Sequence, residues 1–140
     1  MTSINESFLR APETNLTLLR VLAENSFDSI LMTDSTDEGA IIYANPAFAT
    51  LTGFSPTEVI GKTPRILQGV GTDERVIDRL SHALKSGSEF EGKAINYKKD
   101  GTPFIMYWRV LPIKTGEKNS VERTPSDFGS VHVMLLVMHA

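Results

Sequence analysis

The 140-residue sequence contains no cysteine, and this absence removes several kinds of chemistry at once. Disulfide scaffolds, thiolate zinc sites, thiol nucleophiles and cysteinyl adducts to a cofactor all require a thiol. The three histidines, His82, His132 and His139, are isolated in the sequence. Triad spacings, glycine-rich phosphate loops and metal-ligand clusters are also missing. We therefore expect a protein that is not an enzyme, with no catalytic residues and no metal site.

Long apolar runs and a basic excess are missing too. No apolar run approaches the roughly 18 residues that a membrane span needs. The first ten residues, MTSINESFLR, are too polar for a signal peptide. The formal net charge of −3 argues against a nucleic-acid surface. These absences predict a single cytoplasmic domain that contacts neither membrane nor nucleic acid directly.

The charges are unevenly distributed along the chain. Residues 1–60 carry eight acidic and two basic side chains, whereas residues 61–118 carry eleven basic and seven acidic ones. Because the bases of the second segment alternate with acids, the pattern is typical of a solvated face with mixed ion pairs. Anion binding by a subset of these bases is the alternative.

An amphipathic helix is predicted near residues 13–25, because apolar residues recur there at three- and four-residue spacing. Its apolar surface is wider than one sheet face needs to cover. We therefore predict a symmetric homodimer that uses this helix and the sheet face around Tyr107 or Trp108. The alternative is a helix that only covers its own sheet. The apolar surface consists of Leu16, Leu18, Leu19, Val21 and Leu22.

The rest of the pattern predicts an α+β fold, in which helices gather on one face of an antiparallel sheet. Asn45-Pro46 and Ser55-Pro56-Thr57-Glu58 are helix starts, the second with a capping box. Lys99-Asp100-Gly101 is a hairpin turn, and residues 114–128 are a polar loop. The predicted strands are 29–34, 40–44, 90–98, 103–114 and 129–139.

Several segments resemble a known family, in order and at family spacing. Four of them resemble the N-terminal half of a PAS domain: residues 25–34 (NSFDSILMTD), 42–48 (IYANPAF), 52–54 (TGF) and 58–61 (EVIG). Two more are similar to the LOV branch of that family, the flavin-binding blue-light sensors: residues 61–69 (GKTPRILQG) and 95–104 (INYKKDGTPF).

The resemblance covers nearly the whole chain and implies a PAS fold. We expect a five-stranded antiparallel sheet with short helices on one face and an N-terminal flanking helix. Residues 1–24 would form an arm and the flanking helix, and residues 25–140 would form the PAS domain.

Five positions depart from the flavin-binding pattern of LOV domains. Pro64 stands where photoactive members have the cysteine that adds to flavin, and a proline side chain has no nucleophile. The other four would lack polar flavin contacts, each worth roughly 1–3 kcal/mol when its partner is left buried and unpaired. FMN or FAD is therefore an allowed but not a favoured cofactor. In the LOV pattern these positions hold an asparagine (Thr63 here), a second phosphate-binding arginine (Ser81), a flavin-ring asparagine (Met106) and, on the last strand near Val137, a glutamine.

Three polar residues of the LOV pattern are retained, namely Arg65, Gln68 and Asn96. The resemblance makes them candidates for binding a small molecule or a flavin. Alternatively, Arg65 and Gln68 tie a helix connection to the sheet, and Asn96 needs a partner if it faces the cavity. Haem ligation by His82 is not expected, because its helical neighbours Asp78, Arg79 and Lys85 indicate a solvent-facing surface.

Together these features predict a sensory PAS module rather than a cysteine-adduct photoreceptor. A small molecule in the interior cavity would shift the sheet and its flanking helix, and so signal to an effector or a dimer partner. Two alternatives stay open: a ligand-free dimerisation module, and a flavin-binding sensor without adduct chemistry. The resemblance implies an attached or separate kinase, cyclase or DNA-binding regulator as the effector.

Overall fold

The protein is described here by a computed structural model that covers residues 12–34, 39–114 and 132–140. Its five strands form one antiparallel sheet in the order β2-β1-β5-β4-β3. The strands are β1 (Ser29–Thr33), β2 (Ile41–Ala44), β3 (Phe90–Tyr97), β4 (Pro103–Lys114) and β5 (His132–His139). The helices are α1 (Pro12–Glu24), α2 (Pro46–Thr52), α3 (Pro56–Val59), a 3₁₀ helix (Pro64–Leu67) and α4 (Glu74–Ser86).

The predicted α+β fold with five antiparallel strands is confirmed. The predicted N-terminal arm before Pro12, most of the loop at 114–128 and the first residues of the last strand lie outside the described residues. Both predicted caps are present. Asn45 accepts a hydrogen bond from the Phe48 amide at 3.0 Å, and Ser55 and Glu58 form the reciprocal capping box. Lys99 also pairs with Glu58 at 2.8 Å, which lowers the pKa of that carboxyl.

The inner face of the sheet carries the core, because side chains alternate between the two faces along each strand. On β4, Met106, Trp108 and Val110 are buried, whereas Tyr107 is 40% exposed on the outer face. Tyr107 and Trp108, which are adjacent in the strand, therefore point to opposite faces of the sheet. The outer Tyr107 ring stacks on His139 with a centroid separation of 5.2 Å.

The same alternation shows which residues of β5 face the core near the position discussed above. Met134, Leu136 and Met138 are the buried residues of this strand, so Val137 lies on the outer face. The glutamine of LOV domains therefore has no counterpart at Val137. The inner-facing neighbours of that position are Leu136 and Met138, which are both apolar.

Helix α1 is held to the domain at its C-terminal end. The buried Asn45 amide donates to the Ala23 carbonyl at 2.8 Å, and the Tyr43 hydroxyl donates to the Glu24 carboxylate. Burial of the hydroxyl, together with this hydrogen bond, raises the pKa of Tyr43 above its ordinary value.

The apolar side chains of α1 are exposed in the chain by itself. Leu18, Leu19, Val21 and Leu22 are between 38% and 61% exposed, and the side chain of Leu16 lies outside the described part. The contacts of α1 with its own domain therefore leave these four side chains partly exposed. None of the described helices is both long and apolar enough to cross a membrane.

Candidate ligand-binding site

A small cavity lies between the 3₁₀ helix and α4. Its volume is about 60 Å³. Both helices contribute polar and apolar side chains, so the walls are mixed in character. The lining residues are Pro64, Arg65, Gln68, Ile77, Leu80, Ser81, Leu84 and Lys85.

The 3₁₀ helix forms one side of this cavity, and Thr63 and Pro64 determine where that helix begins. Thr63 is the N-cap, and its hydroxyl accepts a hydrogen bond from the Arg65 amide at 3.3 Å. Pro64 occupies the first helical position, where its missing N–H costs nothing, and it is buried. The two positions where LOV domains have asparagine and cysteine therefore serve here as a cap and a helix start.

The segment after the 3₁₀ helix ties the cavity to the edge strand β3. The Tyr97 hydroxyl accepts a hydrogen bond from the Gly71 amide at 2.7 Å, and the Thr72 hydroxyl donates to the Ile95 carbonyl at 2.6 Å. Thr72 also accepts from the Gly69 amide at 3.0 Å. The bonds of Gly71 and Thr72 hold the segment directly after Gln68 against β3.

Gly69 is expected to be irreplaceable in this connection, because a Cβ atom there would overlap the Tyr97 ring. Gly69→Ala should lower the free energy of unfolding by roughly 1–3 kcal/mol, the usual cost of overpacking. Urea denaturation measures this loss. In a Tyr97→Ala background the same substitution should cost less than half as much. An equal cost in both backgrounds would contradict the contact, and Val70→Ala at a fully exposed neighbour serves as the control.

The three sequence-predicted site residues do not all meet. Arg65 and Gln68 line the cavity, whereas Asn96 is not part of its lining. Asn96 lies on the inner face of β3, only 1% exposed, and its amide donates to the Met106 sulfur at 3.3 Å. Its Oδ1 has no hydrogen-bond partner within the described residues. The hydrogen-bond partner of Asn96 is therefore Met106, which stands at one of the positions where a polar flavin contact of LOV domains is missing.

The interior does not fit a flavin. Ligand pockets for molecules of that size have volumes of about 300–1,000 Å³, several times the volume found here. Large side chains occupy the space between the sheet and the helices, and Trp108 reaches into the same core. The fully buried ones include Phe48, Leu67, Met106, Met134, Leu136 and Met138.

Two further sequence-based expectations concern metals. His82 is exposed on α4, as its charged neighbours predict. Across residues 12–34, 39–114 and 132–140, no group of three or more His, Asp or Glu side chains could hold a metal ion.

Sequence reasoning missed Lys85 as a lining residue. It lies one helical turn after Ser81, the position where LOV domains have a second phosphate-binding arginine, and both residues line the cavity. The sequence did contain one indication, since the four-residue spacing of Ser81 and Lys85 places both side chains on the same face of a helix. Lys85 was interpreted instead as one of the charged neighbours of His82 on a solvent-facing surface, because periodicity does not show which part of a face lies against another helix.

The five-stranded antiparallel sheet with short helices is the fold of PAS domains, and the comparisons with known proteins agree. The PAS domain family matches residues 28–123, more than half of the chain. The chain therefore belongs to the PAS domain family.

The relatives found by sequence include phototropins and blue-light-activated histidine kinases. The chain is 46% identical over 74 residues to phototropin-1A of Oryza sativa subsp. japonica, which is 53% of this chain and 8% of that protein. It is 42% identical over 78 residues to a blue-light-activated histidine kinase of Brucella anthropi, which is 56% of this chain and 16% of the kinase. The chain thus spans less than a fifth of the length of these curated relatives.

A solved structure is similar over most of the chain. It comes from work on the light-oxygen-voltage domain mechanism with a flavin analogue, and the similarity has a TM-score of 0.70 at 27% identity. The match covers 88% of this chain and 83% of that one. The protein is accordingly a PAS domain homologous to the LOV domains of blue-light sensors.

Proposed function

We propose that this chain is a sensory PAS module without catalytic activity of its own. It binds a small molecule in the cavity between the 3₁₀ helix and α4, and it is not a cysteine-adduct photoreceptor. The observation that carries the proposal is the cavity itself, which holds two of the three retained polar residues, Arg65 and Gln68.

The contacts between the cavity and β3 support a route for the signal. A ligand that moves Gln68 also moves Gly69, and the Gly71 and Thr72 hydrogen bonds carry that movement to Tyr97 and Ile95. Strand β3 pairs with β4 along its whole length, so the shift passes into the sheet. The effector would be a kinase, cyclase or DNA-binding regulator, and the blue-light-activated histidine kinase among the relatives supports the first of these.

Mass spectrometry and ion chromatography of the denatured protein test ligand binding. We expect one small molecule or ion, released near one equivalent per chain. Filling the cavity with Ser81→Trp should abolish its retention, while Ser86→Trp at an exposed position of the same helix should not. Equal retention by the two variants would contradict a site in this cavity.

Flavin binding without adduct chemistry is the second candidate. The similarity to blue-light sensors and the retention of Arg65, Gln68 and Asn96 favour it. The filled interior argues against it, because Met106 and Met138 occupy space on the inner sheet face.

We also propose a homodimer as the assembly that transmits the signal. Leu19, Val21 and Leu22 on α1 are each at least half exposed, and Ile105 and Tyr107 are exposed on the outer sheet face. Apolar patches of this kind on a small domain are commonly covered by a partner. In the dimer, α1 would pack against its copy and against the outer face of the sheet.

Charged substitutions on α1 are expected to dissociate this dimer. The double variant Leu19→Glu/Leu22→Glu should weaken self-association at least tenfold, because it places carboxylates in the centre of the proposed interface. Light scattering at a concentration on the order of tens of micromolar measures the mass. Thr17→Glu changes an exposed polar residue of the same helix and should leave the dimer intact. A wild-type chain that is already monomeric there would contradict the dimer.

A further inference from the structure

We infer that a groove along α2, separate from the cavity described above, binds a small uncharged aromatic molecule that carries one hydrogen-bonding group. The volume of this α2 groove is about 520 Å³, within the range of ligand pockets. None of its lining residues belongs to the 3₁₀ helix or to α4, which form the smaller cavity. The inference is therefore independent of the proposed function.

The α2 groove lies between α2 and the ends of β1 and β5. The start of α2 is fixed to β1, because the side-chain oxygen of Asn45 accepts from the Ile30 amide at 2.8 Å and the backbone amide of Asn45 donates to the Ile30 carbonyl at 3.0 Å. Ser29 and Met138 are paired on neighbouring strands, and both are buried on the inner face of the sheet. Their side chains therefore lie on the face against which α2 packs.

The hydroxyl of Ser29 is the observation that points to a ligand. Ser29 is 3% exposed and lines the α2 groove, but its hydroxyl has no hydrogen-bond partner within the part of the chain that the structure describes. Such a group is unfavourable, because burial has removed its hydrogen bonds to water without replacing them. A hydroxyl or amide group on a molecule in the groove would supply the missing partner.

The apolar part of the lining favours an aromatic body for this molecule. The Phe27 side chain stands completely exposed beside the groove, and Leu51 and Met138 contribute apolar surface from α2 and β5. Aromatic rings pack favourably on other rings and on methionine sulfur. A bound ring would therefore cover the Phe27 side chain, which the domain itself leaves in solvent.

The charges of the lining favour an uncharged molecule. Among residues 12–34, 39–114 and 132–140, no aspartate or glutamate side chain lines the groove, so the lining offers a cation no acidic side chain. Lys98 lines the groove, but its ammonium group already lies over the Phe104 ring, 5.8 Å from the ring centroid. We therefore expect an uncharged ligand to bind at least as tightly as the corresponding carboxylate.

NMR titration of the full chain with 3-methylphenol and with toluene tests the inference, because the two probes differ by one hydroxyl group. We expect saturable chemical-shift changes at residues 26–29, 46–51 and 138 with both probes. Ser29→Ala should weaken the binding of 3-methylphenol about three- to tenfold, the effect of one hydrogen bond, and should change that of toluene less than twofold. Ser88→Ala makes the same chemical change at an exposed position outside the groove and should alter neither affinity.

Thermal unfolding of Ser29→Ala provides a second readout. The melting temperature should not fall, because the hydroxyl that is removed has no partner in the folded chain. A lower melting temperature would show that this hydroxyl has a structural role, and it would contradict the inference.

Four results of the titration would also overturn the inference. The first is no saturable binding of 3-methylphenol to the wild-type chain. The second is a set of shifts confined to residues 64–86, which would place the probe in the smaller cavity. The third is an equal loss of affinity for both probes in Ser29→Ala. The fourth is tighter binding of benzoate than of 3-methylphenol, which would indicate an acidic ligand at Lys98.

Discussion

Asn45→Ala is expected to lower the free energy of unfolding by about 3–5 kcal/mol, the largest loss of stability that we foresee for a single substitution. Asn45 is completely buried, and its side-chain oxygen accepts from the amides of Ile30 and Phe48 at 2.8 and 3.0 Å. Its amide donates to the carbonyls of Ala23 and Asp28 at 2.8 and 2.9 Å. Alanine would remove all four hydrogen bonds at once.

The effect extends beyond one helix cap, because the four bonds join α1, β1 and α2. Urea denaturation followed by circular dichroism measures the loss. Asn25→Ala is the matched control, since the exposed Asn25 side chain makes one bond to the Val21 carbonyl and should matter by less than about 0.5 kcal/mol. A loss below about 1 kcal/mol for Asn45→Ala would show that water replaces the missing bonds.

Blue light is expected to produce no flavin–cysteine adduct in this protein, and Pro64→Cys alone should not create one. The chain contains no cysteine, so wild type lacks the nucleophile. In the variant the thiol would stand at the start of the 3₁₀ helix beside a cavity of about 60 Å³, too small for the flavin ring system. Met106 and the other buried methionines would still occupy the inner sheet face.

Absorption spectra before and after illumination measure this, after each protein has been incubated with excess FMN and separated from free FMN. We expect no bound flavin and no light-induced change in either protein. A blue absorption band that bleaches in light and recovers slowly in the dark would contradict the prediction for Pro64→Cys. Bound flavin without bleaching in wild type would favour the second candidate function.

The fold could be predicted from the sequence because its local signals agree with one another. Asn45 and Ser55 are helix caps in the structure, and Gly53 and Gly87 end α2 and α4 with positive φ values of 83° and 68°. The Asp100-Gly101 turn joins β3 and β4 as expected. These signals are short-range, and their meaning depends little on the rest of the chain.

The candidate site could be predicted only in part, because its geometry depends on contacts between distant elements. Arg65 and Gln68 were found through the resemblance, but the spacing of Ser81 and Lys85 shows only that they share a helix face, not that Lys85 lies at the same cavity. Val137 illustrates a second limit, since an error of one residue on a strand moves a side chain to the other face. Asn96 illustrates a third, because its pairing with Met106 depends on the β3–β4 register.

Hydrogen exchange of the full chain, with its ligand bound and after removal of the ligand, tests the central claim most directly. We expect changed exchange at residues 64–86, which surround the cavity, and also along β3, which the Gly71 and Thr72 hydrogen bonds connect to the cavity segment. Helix α1 should change as well if the sheet transmits the signal. A ligand whose removal alters exchange only at residues 64–86, with β3 and α1 unchanged, would contradict a sensory role for this cavity.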